Sequence, residues 1–444
     1  MKAIKSYLYP SYGLASIGKV AVEVTLQLYL FDYYTRILGL SPLLAGAAFA
    51  VAILWDALSD IILSAALFKA RTHKIPYSFI LWIGALILAL ATVLLFSTIA
   101  PKTQWLLFIY LLLTYSLVNT GMTLLDLPQS SLSAELSHRA DERNKLLAAK
   151  MGFGILGLAV GSILPGLFLE GAQENANNTL LAQARSSAAW VLAIIVTTSA
   201  TLTAILIRSR EKETEHVSAT SMPTLQEVAR IFQDRPYRKI LIAGVVAAIG
   251  RTINAALALM YYRFVLKLSE EAVTLKIFPI FTLSIIASIP FWIWVSKIYG
   301  KRRPAYAAVA GLGVMGIIAY PLLPAGETWP ALCISTLGGV LCGAVFLVES
   351  MITDMIDHDE DQTGKRKEAL YFAVWKSGAK IARAFAFVAV GIGLELIGLD
   401  ESVESVSRGI EIGIILLFGV LVGLCFIVSG GFIYSAKVPK ARSV

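Results

Sequence analysis

The chain has 444 residues, 57% of them hydrophobic and only 15% charged, with a formal net charge of +8 and a mean hydropathy of +0.72. A soluble chain of this length could not hide that much apolar surface, whereas lipid can, so an all-α polytopic membrane protein is expected. Cys333, Cys342 and Cys425 lie in apolar segments, and His73, His138, His216 and His358 fall in or beside polar loops. That placement argues against a disulfide framework and against a haem or metal centre in the membrane core, and no cofactor is expected.

Met1–Leu8 lack the apolar core and cleavage site of a secretory signal, so a retained N-terminus is expected. Hydropathy then predicts about twelve membrane helices, each near the ~20 residues needed to cross hydrocarbon. The spans are 10–37, 42–68, 77–99, 104–127, 146–169, 188–207, 240–266, 272–298, 304–323, 328–355, 368–397 and 409–436. The long hydrophilic interruption at 208–239 divides them into an N-terminal six-helix bundle (1–207) and a C-terminal one (240–444).

In chain order, the first span places Lys19 and Glu23 on one helix face. The second contains Trp55-Asp-Ala-Leu-Ser-Asp60, with Asp56 and Asp60 four residues apart and on one face. A charge near the bilayer centre costs about +2.5 to +3.5 kcal/mol on insertion scales, so paired acids need a neutralising cation, proton or fixed basic residue. They form a candidate coupling-ion site. Na⁺ favours hard oxygen donors, and a proton is favoured because neighbouring carboxylates in low dielectric raise one another's pKa. The fifth span carries Gly152, Gly154, Gly157 and Gly161, which predict close helix packing.

In the central loop, Thr224-Leu-Gln-Glu227 fits a capping box, and Leu225, Val228, Ile231 and Phe232 recur at helical spacing. Both a short amphipathic helix on the membrane surface and a flexible linker fit that pattern. Arg251, Arg263 and Lys276 sit in or near the seventh and eighth spans, and Glu349 and Asp354 in the tenth. The eleventh presents Lys376, Lys380 and Arg383 at i, i+4 and i+7 on one face. These cations suit an anionic substrate group or, equally, salt bridges that gate one access state.

Lys and Arg collect in the N-terminal segment, in the loops around 69–74, 139–145, 208–239, 297–303 and 365–367, and in the C-terminal segment, while Arg36, Lys102, Arg185, Lys267 and Arg408 lie on the other side. The bias predicts cytoplasmic termini and central loop in a cell inner membrane, and it accounts for the net charge without nucleic-acid binding. The short basic loops at 69–77 and 297–306 both end in Pro and Tyr, a weak sign of a repeat between the halves.

Tyr12-Gly13, Gly18-Lys19, Tyr33-Tyr34-Thr35, Gly39-Leu40-Ser41, Trp55–Asp60 and Asp126-Leu127-Pro128 follow one another in order. Asp354-Met-Ile-Asp357-His-Asp359-Glu360, Thr363-Gly364, Lys365-Arg366-Lys367-Glu368, Tyr371 and Lys376 continue the series. This order resembles the melibiose-permease-like glycoside–pentoside–hexuronide:cation symporter family over nearly the whole chain. The resemblance implies the major facilitator fold, alternating access and coupling to Na⁺, H⁺ or Li⁺. It implies a cation site of Asp56, Asp60 and Thr123, with Ser59 where the family has an asparagine, the two acids being Na⁺ ligands. It implies a substrate site that includes Lys19, Asp126 and Lys150, the last standing where the family has an arginine; Glu23 on the Lys19 face and the face of Lys376, Lys380 and Arg383 are added from the residue pattern. Here Val20, Ser130 and Met122 replace an acidic hydroxyl acceptor, a stacking tryptophan and a tyrosine of the family's galactoside site, so the substrate is expected to differ.

The function expected is cation-coupled symport of a small polar organic solute, leaning to an anionic sugar such as a uronide or sulfonated sugar. The partners are that solute, a monovalent cation and the lipid bilayer, and a monomer is the expected state. A lysolipid carrier and a non-transporting receptor or scaffold are the alternatives. A membrane enzyme is disfavoured, since no His, Cys or metal cluster lies in the spans.

Overall fold

The computed structural model describes residues 6–72, 75–98, 101–136, 140–169, 178–211, 231–363, 367–399 and 406–436. Within them, besides a short helical turn at 231–233, the chain forms twelve helical stretches. The first, α1 (8–37), is built from Leu8–Gly13, Ala15–Thr25 and two π turns, Leu26–Leu30 and Tyr33–Ile37. There follow α2 (Pro42–Thr72), α3 (Tyr77–Leu95), α4 (Gln104–Leu136), α5 (Ala140–Leu167) and α6 (Asn178–Glu211). In the second half, α7 is Arg235–Met260 with a π turn at Tyr261–Val265. The next, α8, joins Glu270–Ala272, a π turn at Val273–Ile277 and Phe278–Tyr299. Then come α9 (Arg302–Leu322), α10 (Thr328–Cys342 and Phe346–Thr363) and α11 (Glu368–Leu396). Last is α12, from Arg408–Ile415 through a π turn at Leu416–Leu421 to Val422–Ser435.

Ten of these, all but α1 and α11, are long and apolar enough to cross a membrane. Helix α1 carries Lys19, Glu23, Asp32 and Arg36, and α11 carries Lys376, Lys380 and Arg383 along its middle. Helix α11 still has 29 residues, which at the α-helical rise is about 44 Å and exceeds the hydrocarbon thickness. Several helices overrun the predicted spans. Helix α4 continues through Pro128 to Leu136, and α5 begins at Ala140. Hydropathy registers the apolar crossing, whereas backbone hydrogen bonding continues into polar turns beyond it. The capping box at 224–227 lies outside the described residues.

Contacts divide the chain into two units, 1–220 and 221–444. In the first, α1 packs on α5 and α6, α3 on α4 and α6, and α2 on α4. In the second, α7 packs on α11 and α12, α9 on α10 and α12, and α8 on α10. Each pairing recurs six helices later, so the two units share one internal plan.

The repeat extends to one corner in each unit. Tyr33-Tyr34, Leu38, Leu40 and Ser41 match Tyr261-Tyr262, Leu266, Leu268 and Ser269. Both tyrosine pairs open a π turn. Leu38 N–H donates to Tyr33 O at 3.0 Å and Leu40 N–H to Tyr34 O at 2.9 Å; Leu266 N–H donates to Tyr261 O at 3.1 Å and Leu268 N–H to Tyr262 O at 3.0 Å. The residue between the leucines is left-handed in both corners, Gly39 at φ 73° and Lys267 at φ 52°. The Tyr33 and Tyr34 hydroxyls donate to Ser97 O and Leu95 O, carbonyls at and just past the end of α3, and Tyr261 donates to Tyr320 O near the end of α9.

Close packing explains part of the predicted glycine stripe. A Cβ at Gly157 or Gly161 would overlap the α1 backbone carbonyls of Ile17 and Ala21. A Cβ at Gly152 meets nothing within 4 Å, and one at Gly154 only the Val20 side chain at 3.5 Å. Two glycines of the four therefore make the contact.

Candidate functional site

Three helices of the first unit converge on α4. From α2, the Asp56 and Asp60 carboxylates both approach Thr123: its hydroxyl donates to Asp60 Oδ1 at 2.8 Å, with Asp56 Oδ1 at 3.4 Å. Asp56 is buried. One hydroxyl proton is thus shared between two acids, which leaves hard oxygens gathered where a monovalent cation or a proton would relieve their repulsion. Ser59 is buried nearby on α2, but its hydroxyl donates to Asp56 O at 3.1 Å, within its own helix. Among the described residues no cluster of three His, Cys, Asp or Glu side chains is placed to hold a metal ion. The two flanking contacts from α4 to α2 are Trp55 Nε1 donating to Thr120 Oγ1 at 3.3 Å and Asn119 Nδ2 donating to Ala52 O at 3.3 Å.

One turn further along α4, Asp126 is held by two lysines. Lys19 of α1 donates to its Oδ1 at 2.8 Å and Lys150 of α5 to the same oxygen at 2.9 Å. Lys150 also reaches Ser130 Oγ at 3.5 Å. All three charged groups are partly buried, with side-chain exposures of 19%, 22% and 28% for Lys19, Lys150 and Asp126. Lys19 therefore turns to α4 instead of its face-mate Glu23, which accepts from Gln27 Nε2 at 3.4 Å. The clamp of two ammoniums and one carboxylate carries a net positive charge, and such cations favour an anionic group that replaces their hydration.

Lys376, Lys380 and Arg383 lie in the second unit on α11, Lys376 exposed and the other two half-buried. Helix α11 is seated on α7 by the Trp375 ring against Gly244 and by Tyr237 Oη donating to Tyr371 O at 2.8 Å. Asp354, an acid of the tenth span, is paired with Lys301 at 2.6 Å, and Lys301 also donates to Ser350 O.

Two groups escaped the sequence reading. Arg36 and Arg185, counted only as orientation markers, are buried: Arg36 chelates Asp32 at 2.6 and 2.8 Å, and Arg185 stacks over the Tyr29 ring at 4.2 Å. The second is Gln129, buried on α4 and bonded to α1. Its place three residues after Asp126, opposite Tyr12, Ser16 and Lys19 at i, i+4 and i+7, was the available signal.

Comparison with known proteins fits this architecture. Residues 11–440 match the family model described as MFS/sugar transport protein. The uncharacterized symporter YjmB of Bacillus subtilis is 23% identical over 96% of this chain and 91% of its own. The sodium-dependent lysophosphatidylcholine symporter 1-A of Danio rerio is 22% identical over 90% of this chain and 79% of its own. Among solved structures, a bacterial homolog of the human lysosomal transporter Spinster aligns with TM-score 0.69 and 12% identity, covering 97% of this chain and 96% of that one. The nucleoside transporter NupG aligns with TM-score 0.65 and 13% identity, over 97% and 100% of the two chains. The chain belongs to the MFS/sugar transport protein family: it is a polytopic membrane transporter with the major facilitator fold, and not an enzyme.

Proposed function

We propose that the protein is a cation-coupled symporter for an organic solute bearing an anionic group, of the glycoside–pentoside–hexuronide:cation type. The observation that carries this reading is the juxtaposition on α4 of Thr123, on which Asp56 and Asp60 converge, and Asp126, which holds Lys19 and Lys150. Na⁺ or H⁺ binds the acid pair, and the solute's anionic group binds the lysines one turn away. Asp126 Oδ2 accepts a hydroxyl of the solute. Alternating access then carries both across. A uronide or sulfonated sugar suits both the lysines and the hydroxyl acceptor.

A lysolipid is the second reading. The relative named for lysophosphatidylcholine transport favours it. A phosphate headgroup would then occupy the lysines.

Proteoliposomes under an imposed Na⁺ or H⁺ gradient test the coupling. Asp56→Asn and Asp60→Asn are expected to abolish accumulation while downhill exchange survives. Full concentrative uptake by either variant would sink the cation site. A thermal-shift screen of uronides, sulfonated sugars, neutral sugars and lysolipids, with and without Na⁺, separates the substrate readings. Loss of a charge-assisted hydrogen bond in Lys19→Gln is worth roughly 1.5–3 kcal/mol, so the charged ligand should weaken about tenfold or more while a neutral analogue holds.

A further inference from the structure

Helices α1 and α4 make little backbone contact with each other; α1 leans on α5 and α6 instead, through Gly157, Gly161 and Gly18. What registers α1 against α4 is a seam of polar rungs. Tyr12 Oη donates to Gln129 O at 2.8 Å. Gln129 Nε2 donates to Tyr12 O at 2.9 Å and to Ser16 Oγ at 3.1 Å. The next rung is Lys19 on Asp126 at 2.8 Å. Tyr12, Ser16 and Gln129 are all buried, with exposures of 0%, 2% and 2%. An amide in that setting has no water to fall back on, so its bonds fix the seam. Gln129 also follows Pro128, which has no N–H to complete the helix hydrogen bond to Leu124, so α4 is weakened where the seam runs.

We infer that Gln129 is a positioning residue: it sets the register of α1 on α4 and so holds the Lys19 ammonium on Asp126. The inference deepens the proposed function and rests, for its transport consequence, on Lys19 and Asp126 forming the solute clamp. Lys150 supplies an internal reference, because it meets the same Asp126 oxygen from α5 and is not part of the seam. Removing the Gln129 amide frees Lys19 selectively. Uniform loosening of the bundle would free both lysines.

The test is pulsed acetylation of the full chain in detergent with N-hydroxysuccinimidyl acetate, read at Lys19 and Lys150 by peptide mass spectrometry. Gln129→Leu, which keeps the volume and removes the amide, should raise Lys19 acetylation severalfold and leave Lys150 unchanged. Ser16→Ala, which removes one acceptor, should give a smaller rise with the same selectivity, and it carries the test if Gln129→Leu does not fold. No rise at Lys19, or an equal rise at both lysines, overturns the inference. This readout needs no solute. If Lys19→Gln leaves uptake intact while Gln129→Leu still unmasks Lys19, the clamp reading fails and the positioning role stands. If Lys19→Gln abolishes uptake while Lys19 stays masked in Gln129→Leu, the clamp stands and the positioning role fails.

Discussion

Single residues in this protein take roles that neighbours in space assign. Lys267 is, among the described residues, the one non-glycine with positive φ, and the matching corner of the first unit has Gly39 there. A left-handed L-residue costs roughly 1–2 kcal/mol, and the exposed Lys267–Glu411 pair at 3.5 Å returns little of it. Lys267→Gly should therefore raise the thermal unfolding midpoint. Gly39→Ala should lower it by the equivalent of about 1 kcal/mol, and purely through the backbone, since a Cβ at Gly39 meets nothing within 4 Å.

Asp234, just before α7, makes a pH prediction. Burial pushes its carboxyl above the usual carboxylate range; the Tyr237 N–H opposes that shift, Asp359 adds to it and His358 opposes it. A raised folded-state pKa stabilises below the unfolded value and loses that contribution as pH rises through the folded one. At neutral pH the ionised group therefore costs stability. Asp234→Asn should raise the unfolding midpoint at neutral pH, with the gain vanishing as pH falls towards about 4. A gain that persists at low pH would contradict this.

At the scale of elements, the α1–α5 contact is made by glycine. Gly161→Ala places a methyl against the Ala21 carbonyl and should cost about 1–3 kcal/mol as overpacking. Gly152→Ala, facing open space on the same helix, should be neutral or stabilising by up to about 1 kcal/mol. Size-exclusion profiles after a heat step distinguish them, and an equal gain in both variants would show that the stripe acts through helix propensity alone.

The same scale shows what could be read in advance. Asp56 and Asp60 were legible because a 3.6-residue period puts i and i+4 on one face whatever the surroundings. Which carboxylate Lys19 would choose was not, since Glu23 on its own face and Asp126 on α4 are both in reach of a long flexible stem. That Asp354 pairs with Lys301, 53 residues away, was likewise not legible. Gln129 is invisible to hydropathy because a buried amide and an exposed one have the same letter.

For the whole molecule, the bias of Lys and Arg predicts that 208–239 and both termini share the cytoplasmic side. Single cysteines at Ser218 and Ser402, in a chain lacking Cys333, Cys342 and Cys425, should label oppositely with an impermeant thiol reagent in intact cells. Labelling of Ser218→Cys from outside would refute the orientation.

Composition and period alone determined that this chain is helical and membrane-bound, that it crosses about twelve times in two halves, and that one face of α2 carries paired acids. Those properties follow from the local cost of placing backbone and charge in hydrocarbon, which each segment meets by itself. Only the tertiary structure decided that Thr123 joins the acids, that Lys19 and Lys150 share one oxygen of Asp126, and that Gln129 ties α1 to α4. Helices in lipid have apolar residues on every face, so their pairing and register come from small-residue contacts and a few buried hydrogen bonds between segments far apart in sequence, which no local pattern specifies.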